Sequence, residues 1–294
     1  MLLLAALVWG VAFVAQSEGL NYVGAFTFNT CRFILGGAVL IPCIYFLHGR
    51  KDSAWQTLSE KEKKEQTRMG IIGGICCGCI LCLASCLQQF GIAQTTVGKA
   101  GFITTLYIII VPFMGLFLKK KIGINIWISA VIAAVGMYFL CITESFSIGA
   151  GDRLVLMSSV VFSVHILVID HFSPKADGVV ISCVQFFTAG VIASVLMLLF
   201  EHPSMSAVIA AAAPILYAGV MSCGVGYTLQ VVAQNGVDPT VASLLLSLES
   251  VFSVLAGWML LGQKLSGREL FGCVLVFAAV LLVQIPTEKL FHTA

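Results

Sequence analysis

Along the chain, long apolar runs alternate with short polar breaks. Residues 1–16 carry no charge, and after the break SEGLNYVG a second apolar run extends over residues 25–47. Residues 48–68 form the one long polar segment, and its charges alternate in sign within SEKEKKE, the pattern of a solvated helix or loop. Apolar runs resume at 70–90, 99–123 and 124–143, then at 154–170, 179–200, 208–231, 242–261 and 270–285. A run of about 20 residues, rising about 1.5 Å per residue, crosses roughly 30 Å of hydrocarbon. Ten such runs predict an all-α integral membrane protein with ten transmembrane helices.

Two of the runs echo each other. Residues 99–123, KAGFITTLYIIIVPFMGLFLKKKIG, align without a gap on residues 242–266, ASLLLSLESVFSVLAGWMLLGQKLS. Both begin with small residues, continue into a long apolar stretch and end in a polar break, at Lys121 and Lys264. Matched copies in corresponding halves are what a transporter built from repeats shows. The expected division is a first repeat over residues 1–143 and a second over 152–286, each of five helices. Five is odd, so the second copy inserts upside down relative to the first, as an inverted repeat.

Composition supports the same class. The 294 residues are 59% hydrophobic and 10% charged, with a mean hydropathy of +1.03. Soluble domains run near 25% charged, so this chain is not wrapped around one aqueous core. The net charge of +2 says less than where the charges fall. With the 48–68 segment in the cytoplasm, Lys119, Lys120, Lys121, Lys175 and Lys289 join Arg50, Lys51, Lys61, Lys63, Lys64 and Arg68 on that side. Arg153, Lys264 and Arg268 fall outside. That asymmetry predicts a multi-pass protein of the inner (plasma) membrane with both termini cytoplasmic. The first run has neither a basic head nor a small-residue cleavage site, so it reads as a span rather than a signal peptide.

Glycines at 70, 74 and 78, at four-residue steps, predict a close helix contact. All eleven cysteines lie in apolar runs. Cys79, Cys82 and Cys86 share a helical face, but no histidine neighbours them, and packing thiols are the better reading than metal ligands. No metal or other cofactor is expected. There is no glycine-rich phosphate loop, HExxH or GxSxG, which counts against nucleotide hydrolysis, nucleic-acid binding and enzymatic chemistry. The expected partners are a small-molecule substrate, the lipid bilayer, and protons or another coupling ion.

Ionisable and polar groups at membrane depth are the candidates for function. Glu249 is the acid well inside a span, and Ala242, Ser253 and Ala256 at helical spacing predict a small, polar stripe beside it. An ionised carboxylate in hydrocarbon is costly, so Glu249 must be protonated, be paired or face water. It can bind a proton or a substrate amine, or serve as a hydrogen bond to a neighbouring helix. Arg32 can receive a substrate carboxylate, or pair with a buried acid or a helix end. His165 is a packing histidine or a proton carrier, and Lys99 is a snorkelling residue or a ligand. Gln88, Gln230, Tyr107 and Tyr227 need partners in hydrocarbon, which a cavity or another helix would supply. Trp9, with Phe13 a turn later, offers an aromatic wall or ordinary packing.

Four stretches carry a resemblance: VWGVAFV at 8–14, CRF at 31–33, GKAGFITTLYIIIVPF at 98–113 and LESVFSVLAGWMLLGQKLS at 248–266. In this order, over essentially the whole chain, they resemble the EamA family of the drug/metabolite transporter superfamily. The resemblance implies a ten-helix permease with a central cavity between inverted repeats, moving amino acids, vitamins or other small metabolites. Two positions depart from the family. Ser250 stands where proline often follows the glutamate of the ninth span, which puts a kink there in doubt, and Gln263 stands where glutamate is common. The function expected is secondary transport of small metabolites such as amino acids by alternating access, with substrate held between spans one to four and six to nine. The competing readings are an integral-membrane enzyme acting through Glu249, His165 and Asp170, and a non-transporting sensor or scaffold. Clustered His and Asp motifs would favour the first and an appended soluble domain the second, and the 294 residues offer neither.

Overall fold

The computed structural model describes residues 1–50, 54–95, 97–118, 123–141, 149–261 and 266–283. Lys51, Lys119, Lys120, Lys121, Lys264 and Lys289, used above for orientation, lie outside the described residues, as do Gln263 and the side chain of Lys99. Among the described residues every regular element is helical. The first half holds α1 (Leu2–Gly19), α2 (Ala25–Gly49), the short α3 (Ala54–Thr57), α4 (Glu60–Ile92), α5 (Val97–Thr104), α6 (Tyr107–Phe117) and α7 (Ile124–Cys141). The second holds α8 (Ala150–Phe172), α9 (Gly178–Phe200), α10 (Met205–Ala210), α11 (Ala212–Leu216), a π-helical segment (Tyr217–Tyr227), α12 (Thr228–Gln234), α13 (Pro239–Leu246), α14 (Glu249–Leu261) and α15 (Gly267–Val283).

Among the described residues eight stretches are long and apolar enough to cross a membrane, and three of them, Ala100–Phe117, Ala212–Gln234 and Pro239–Ala256, run through more than one helical element. The shorter α7 and the 17-residue α15 complete ten spans, five in each half. Polar caps start several of them. Ser59 and Glu62 form a reciprocal capping box at the head of α4, with the Ser59 N–H donating to the Glu62 carboxylate at 2.8 Å. Asp238 accepts from the Thr240 N–H at 2.8 Å and is followed by Pro239 at the first helical position of α13.

The glycine stripe of α4 is a backbone contact, as its spacing predicts. A Cβ on Gly74 would lie 2.5 Å from the Val184 Cβ, and one on Gly78 would lie 2.6 Å from the Gln185 carbonyl oxygen, both on α9. Gly10 of α1 approaches α14 as closely, with 2.6 Å between its notional Cβ and the Phe252 Cβ. Gly136 of α7 meets Leu275 of α15 at 2.8 Å, so the fifth and tenth spans pair with each other.

The α2–α9 pair is fastened at both ends. Glu201, just past α9, accepts from the N–H groups of Phe26 and Thr27 at 3.0 and 2.8 Å, and from the Thr27 hydroxyl at 2.6 Å. These N–H groups belong to the first turn of α2 and have no partner within that helix. At the opposite end, Asp177, the N-cap of α9, sits 2.9 Å from Nε2 of His48 in the last turn of α2. The His48 ring stacks on Trp55 at 4.1 Å.

Two spans are interrupted at equivalent places. The fourth breaks at Thr105 and Leu106 between α5 and α6, and the ninth at Ser247 and Leu248 between α13 and α14. The doubt about a kink beside Ser250 is therefore removed: the helix breaks there without proline. Both breaks carry hydroxyls bonded back to carbonyls of the preceding turn, a bond that weakens and bends a helix. The Thr105 hydroxyl donates to the carbonyls of Gly101 and Phe102 at 3.0 and 2.9 Å. Ser247 and Ser250 donate to the carbonyls of Leu244 and Ser247 at 2.7 and 2.8 Å.

Candidate functional site

The two interrupted spans meet at their breaks. Tyr107, the first residue of α6, donates its hydroxyl to Oε1 of Glu249, the first residue of α14, at 3.0 Å. Glu249 is 4% exposed, and its place in the first turn of α14 sets its carboxyl at the positive end of that helix. One member of this hydrogen bond comes from each repeat.

Arg32 of α2 is 2% exposed, and its guanidinium lies over Phe33 at 4.8 Å and Phe28 at 5.8 Å. Nη1 donates to Oε1 of Gln16 at 3.1 Å. Nε and Nη2 have no acceptor, and no carboxylate among the described residues pairs with the group. Of the two partners foreseen for Arg32 within the protein, an acid or a helix end, neither is present, and a glutamine holds it instead. Gln16 is itself held in place, because its backbone carbonyl accepts from Nε2 of Gln89 at 3.2 Å. Gln88, one residue earlier on α4, donates to the Thr104 hydroxyl at 3.2 Å, beside the break in the fourth span.

Aromatic rings close another side. Trp9 and Tyr227 pack with centroids 4.5 Å apart, and His165 meets Tyr227 edge-on at 6.1 Å. The Trp9 indole N–H donates to the carbonyl of Ser222 at 3.3 Å, an acceptor inside the π-helical segment. Gly226 admits the indole, since a Cβ there would lie 2.6 Å from Trp9 Nε1. His165 Nε2 lies 3.1 Å from Oε1 of Gln185. Gln230 is buried, and its Oε1 has no partner.

All eight sequence candidates (Glu249, Arg32, Trp9, Tyr107, Gln88, Gln230, Tyr227 and His165) line one cavity between the repeats. Its volume is about 40 Å³, room for about three waters. Gln16, Thr104, Phe162 and Ser222 also line it, and sequence reasoning did not single them out. Gln16 was findable: Trp9, Ala12, Phe13 and Gln16 follow the i, i+3, i+4, i+7 spacing of one helix face, and all four reach the cavity. Ser222 enters through the π-helical turns, which no local pattern announces. The stripe expected beside Glu249 is not in the wall. Ser253 and Ala256 are buried elsewhere, and Leu246, before the break, takes their place. Among the described residues no group of three or more His, Cys, Asp or Glu side chains is placed to hold a metal ion. Cys82 and Cys86 are buried, and the Asn29 amide donates to Cys86 Sγ at 3.6 Å, whereas Cys79 is exposed. The cavity thus offers a guanidinium with free donors, a carboxyl on a tyrosine hydroxyl, and a wall of rings.

Known proteins share this arrangement of helices. The model of the EamA-like transporter family matches residues 1–142 and again 149–285. An uncharacterized transporter of Archaeoglobus fulgidus is 29% identical over 285 residues, covering 97% of this chain and 84% of that protein. A solved crystal structure superposes with a TM-score of 0.75 over 98% of this chain and 96% of its own, at 17% identity, a likeness of fold alone.

Proposed function

Since the chain belongs to the EamA-like transporter family, and is a multi-pass membrane transporter rather than an enzyme, we propose that it moves small carboxylate-bearing metabolites such as amino acids by alternating access. The observation that carries this reading is the buried guanidinium of Arg32, with Nε and Nη2 unpartnered in the wall of the cavity that also holds Glu249. A buried cation with free donors is costly until an anion meets it, and a planar fork suits a carboxylate. Glu249 then receives the substrate's amine or a coupling proton, while Trp9, Phe13 and Tyr227 bound its apolar part. The repeats are taken as residues 1–143 and 152–286, and the driving force as an ion gradient or the substrate's own.

Counterflow in proteoliposomes tests this, with amino acids, vitamins and cationic drugs as competing solutes. Amino acids are expected to exchange and cationic drugs not to. Arg32→Gln should reduce exchange by about ten- to a hundredfold, the loss of one charge-assisted contact. Exchange of the cationic drugs, or full activity in the Arg32→Gln variant, overturns the carboxylate assignment.

The membrane is taken as the inner (plasma) membrane, with both termini cytoplasmic, on the charge asymmetry. In a chain stripped of native cysteines, Asn21→Cys should label from outside intact cells and Ser59→Cys only after permeabilisation. Labelling of both from outside rejects this topology.

A further inference from the structure

Apart from the central cavity, the C-terminal ends of α6 and α8 line an open groove of about 530 Å³. Met114, Phe117 and Leu118 form one side, and Leu167, Val168 and His171 of α8 form the other. This volume is more than ten times that of the cavity, yet all but His171 of these residues are apolar. Phe117 and Leu118 are exposed, which in a membrane means facing acyl chains.

A cation stands at the end of this apolar slot. Lys175 Nζ lies 2.7 Å from His171 Nε2 and 5.9 Å from the centre of the Phe172 ring, and both of those residues line the groove. No carboxylate among the described residues pairs with Lys175. Asp177, two positions on, is taken up by the N–H groups of Val179 and Val180 and by His48. In sequence, Leu118 is followed by Lys119, Lys120 and Lys121. A long apolar slot with positive charge at one end complements an amphiphile with an anionic head. Basic pockets between transmembrane helices on the cytoplasmic side hold anionic lipid headgroups in this way.

We propose that an anionic phospholipid occupies the groove, with an acyl chain between α6 and α8 and its phosphate on Lys175. The site is distinct from the central cavity but shares its walls. The helix α8 presents Phe162, His165 and Ile166 to the cavity and Leu167, Val168 and His171 to the groove, while α6 contributes Tyr107 to the former and Met114 to the latter. A lipid chain seated here sets how closely α6 approaches α8, and so how far the cavity wall can move.

Native mass spectrometry of the purified full chain, titrated with phosphatidylglycerol or phosphatidylcholine of identical chains, tests this. One phosphatidylglycerol per chain should be retained, favoured about fivefold over phosphatidylcholine, the effect of one basic residue at the headgroup. Lys175→Gln should remove the preference while the lipid still binds. Val168→Trp should lower retention of both lipids by filling the slot, and Leu167→Phe serves if that variant does not fold. Equal retention of the two lipids by the unmodified chain overturns the proposal. So does a preference that survives Lys175→Gln, or retention untouched by filling the groove.

Discussion

Glu249→Gln is expected to yield a folded chain that carries almost no substrate. Glutamine keeps the shape of the side chain and an oxygen for the Tyr107 hydroxyl, now 3.0 Å from Oε1 of Glu249. The break between α13 and α14 rests on serine hydroxyls that this change leaves alone. The thermal midpoint in detergent should therefore hold. What is lost is the ability to bear a negative charge or to take up and release a proton at the meeting point of the repeats. Counterflow should fall about ten- to a hundredfold, the weight of one interaction with a charged group. If the carboxyl carries the coupling proton, the variation of uptake with pH flattens in the same variant. Normal transport with unaltered pH dependence would leave Glu249 as a structural hydrogen bond and no more.

The largest expected loss of stability comes from Gly74→Leu. The first added atom would sit 2.5 Å from Val184 Cβ, 2.7 Å from Val184 Cγ1 and 3.0 Å from the Ile181 carbonyl oxygen. The carbonyl belongs to the α9 backbone and cannot turn aside, so α4 and α9 must separate. Overpacking of this kind costs about 1–3 kcal/mol, and the backbone contact puts this site at the upper end. The midpoint should drop by roughly 5–10 °C. Gly101→Ala is the control, because nothing lies within 4 Å of its notional Cβ, and it should leave the midpoint unchanged. An unmoved midpoint in Gly74→Leu would mean that α4 does not lean on α9.

The spans and much of the cavity were legible because the bilayer imposes a strong local code. Apolar runs give the helices, and Glu249, Arg32, His165 and the buried amides stand out because polar side chains are rare at that depth. Pairings were not legible. Tyr107 and Glu249 are 142 positions apart, and the sequence could place neither Arg32 nor Lys99 relative to the acid. The partner of Arg32 proved to be Gln16, a neutral residue near the end of the first span, which no local pattern in the sequence pairs with it. The break in the ninth span has no proline to announce it, since Ser250 stands at that position. Here Ser243, Ser247 and Ser250 return their hydroxyls to carbonyls of the preceding turn.

The fastening of α2 to α9 has a mechanical consequence. A beam pinned at one point can swing, but one pinned at both ends can only twist or bend. Glu201 pins one end through the peptide N–H groups of Phe26 and Thr27, and Asp177 pins the other through His48. The pair therefore acts as a stiff post, and opening it at either face means giving up one pin. If the carrier works by alternating access, compliance is expected elsewhere, at the interrupted spans, where Thr105–Leu106 and Ser247–Leu248 lack the full ladder of helix bonds. Displacement of the half-helices about those breaks would then leave both pins of the α2–α9 post in place.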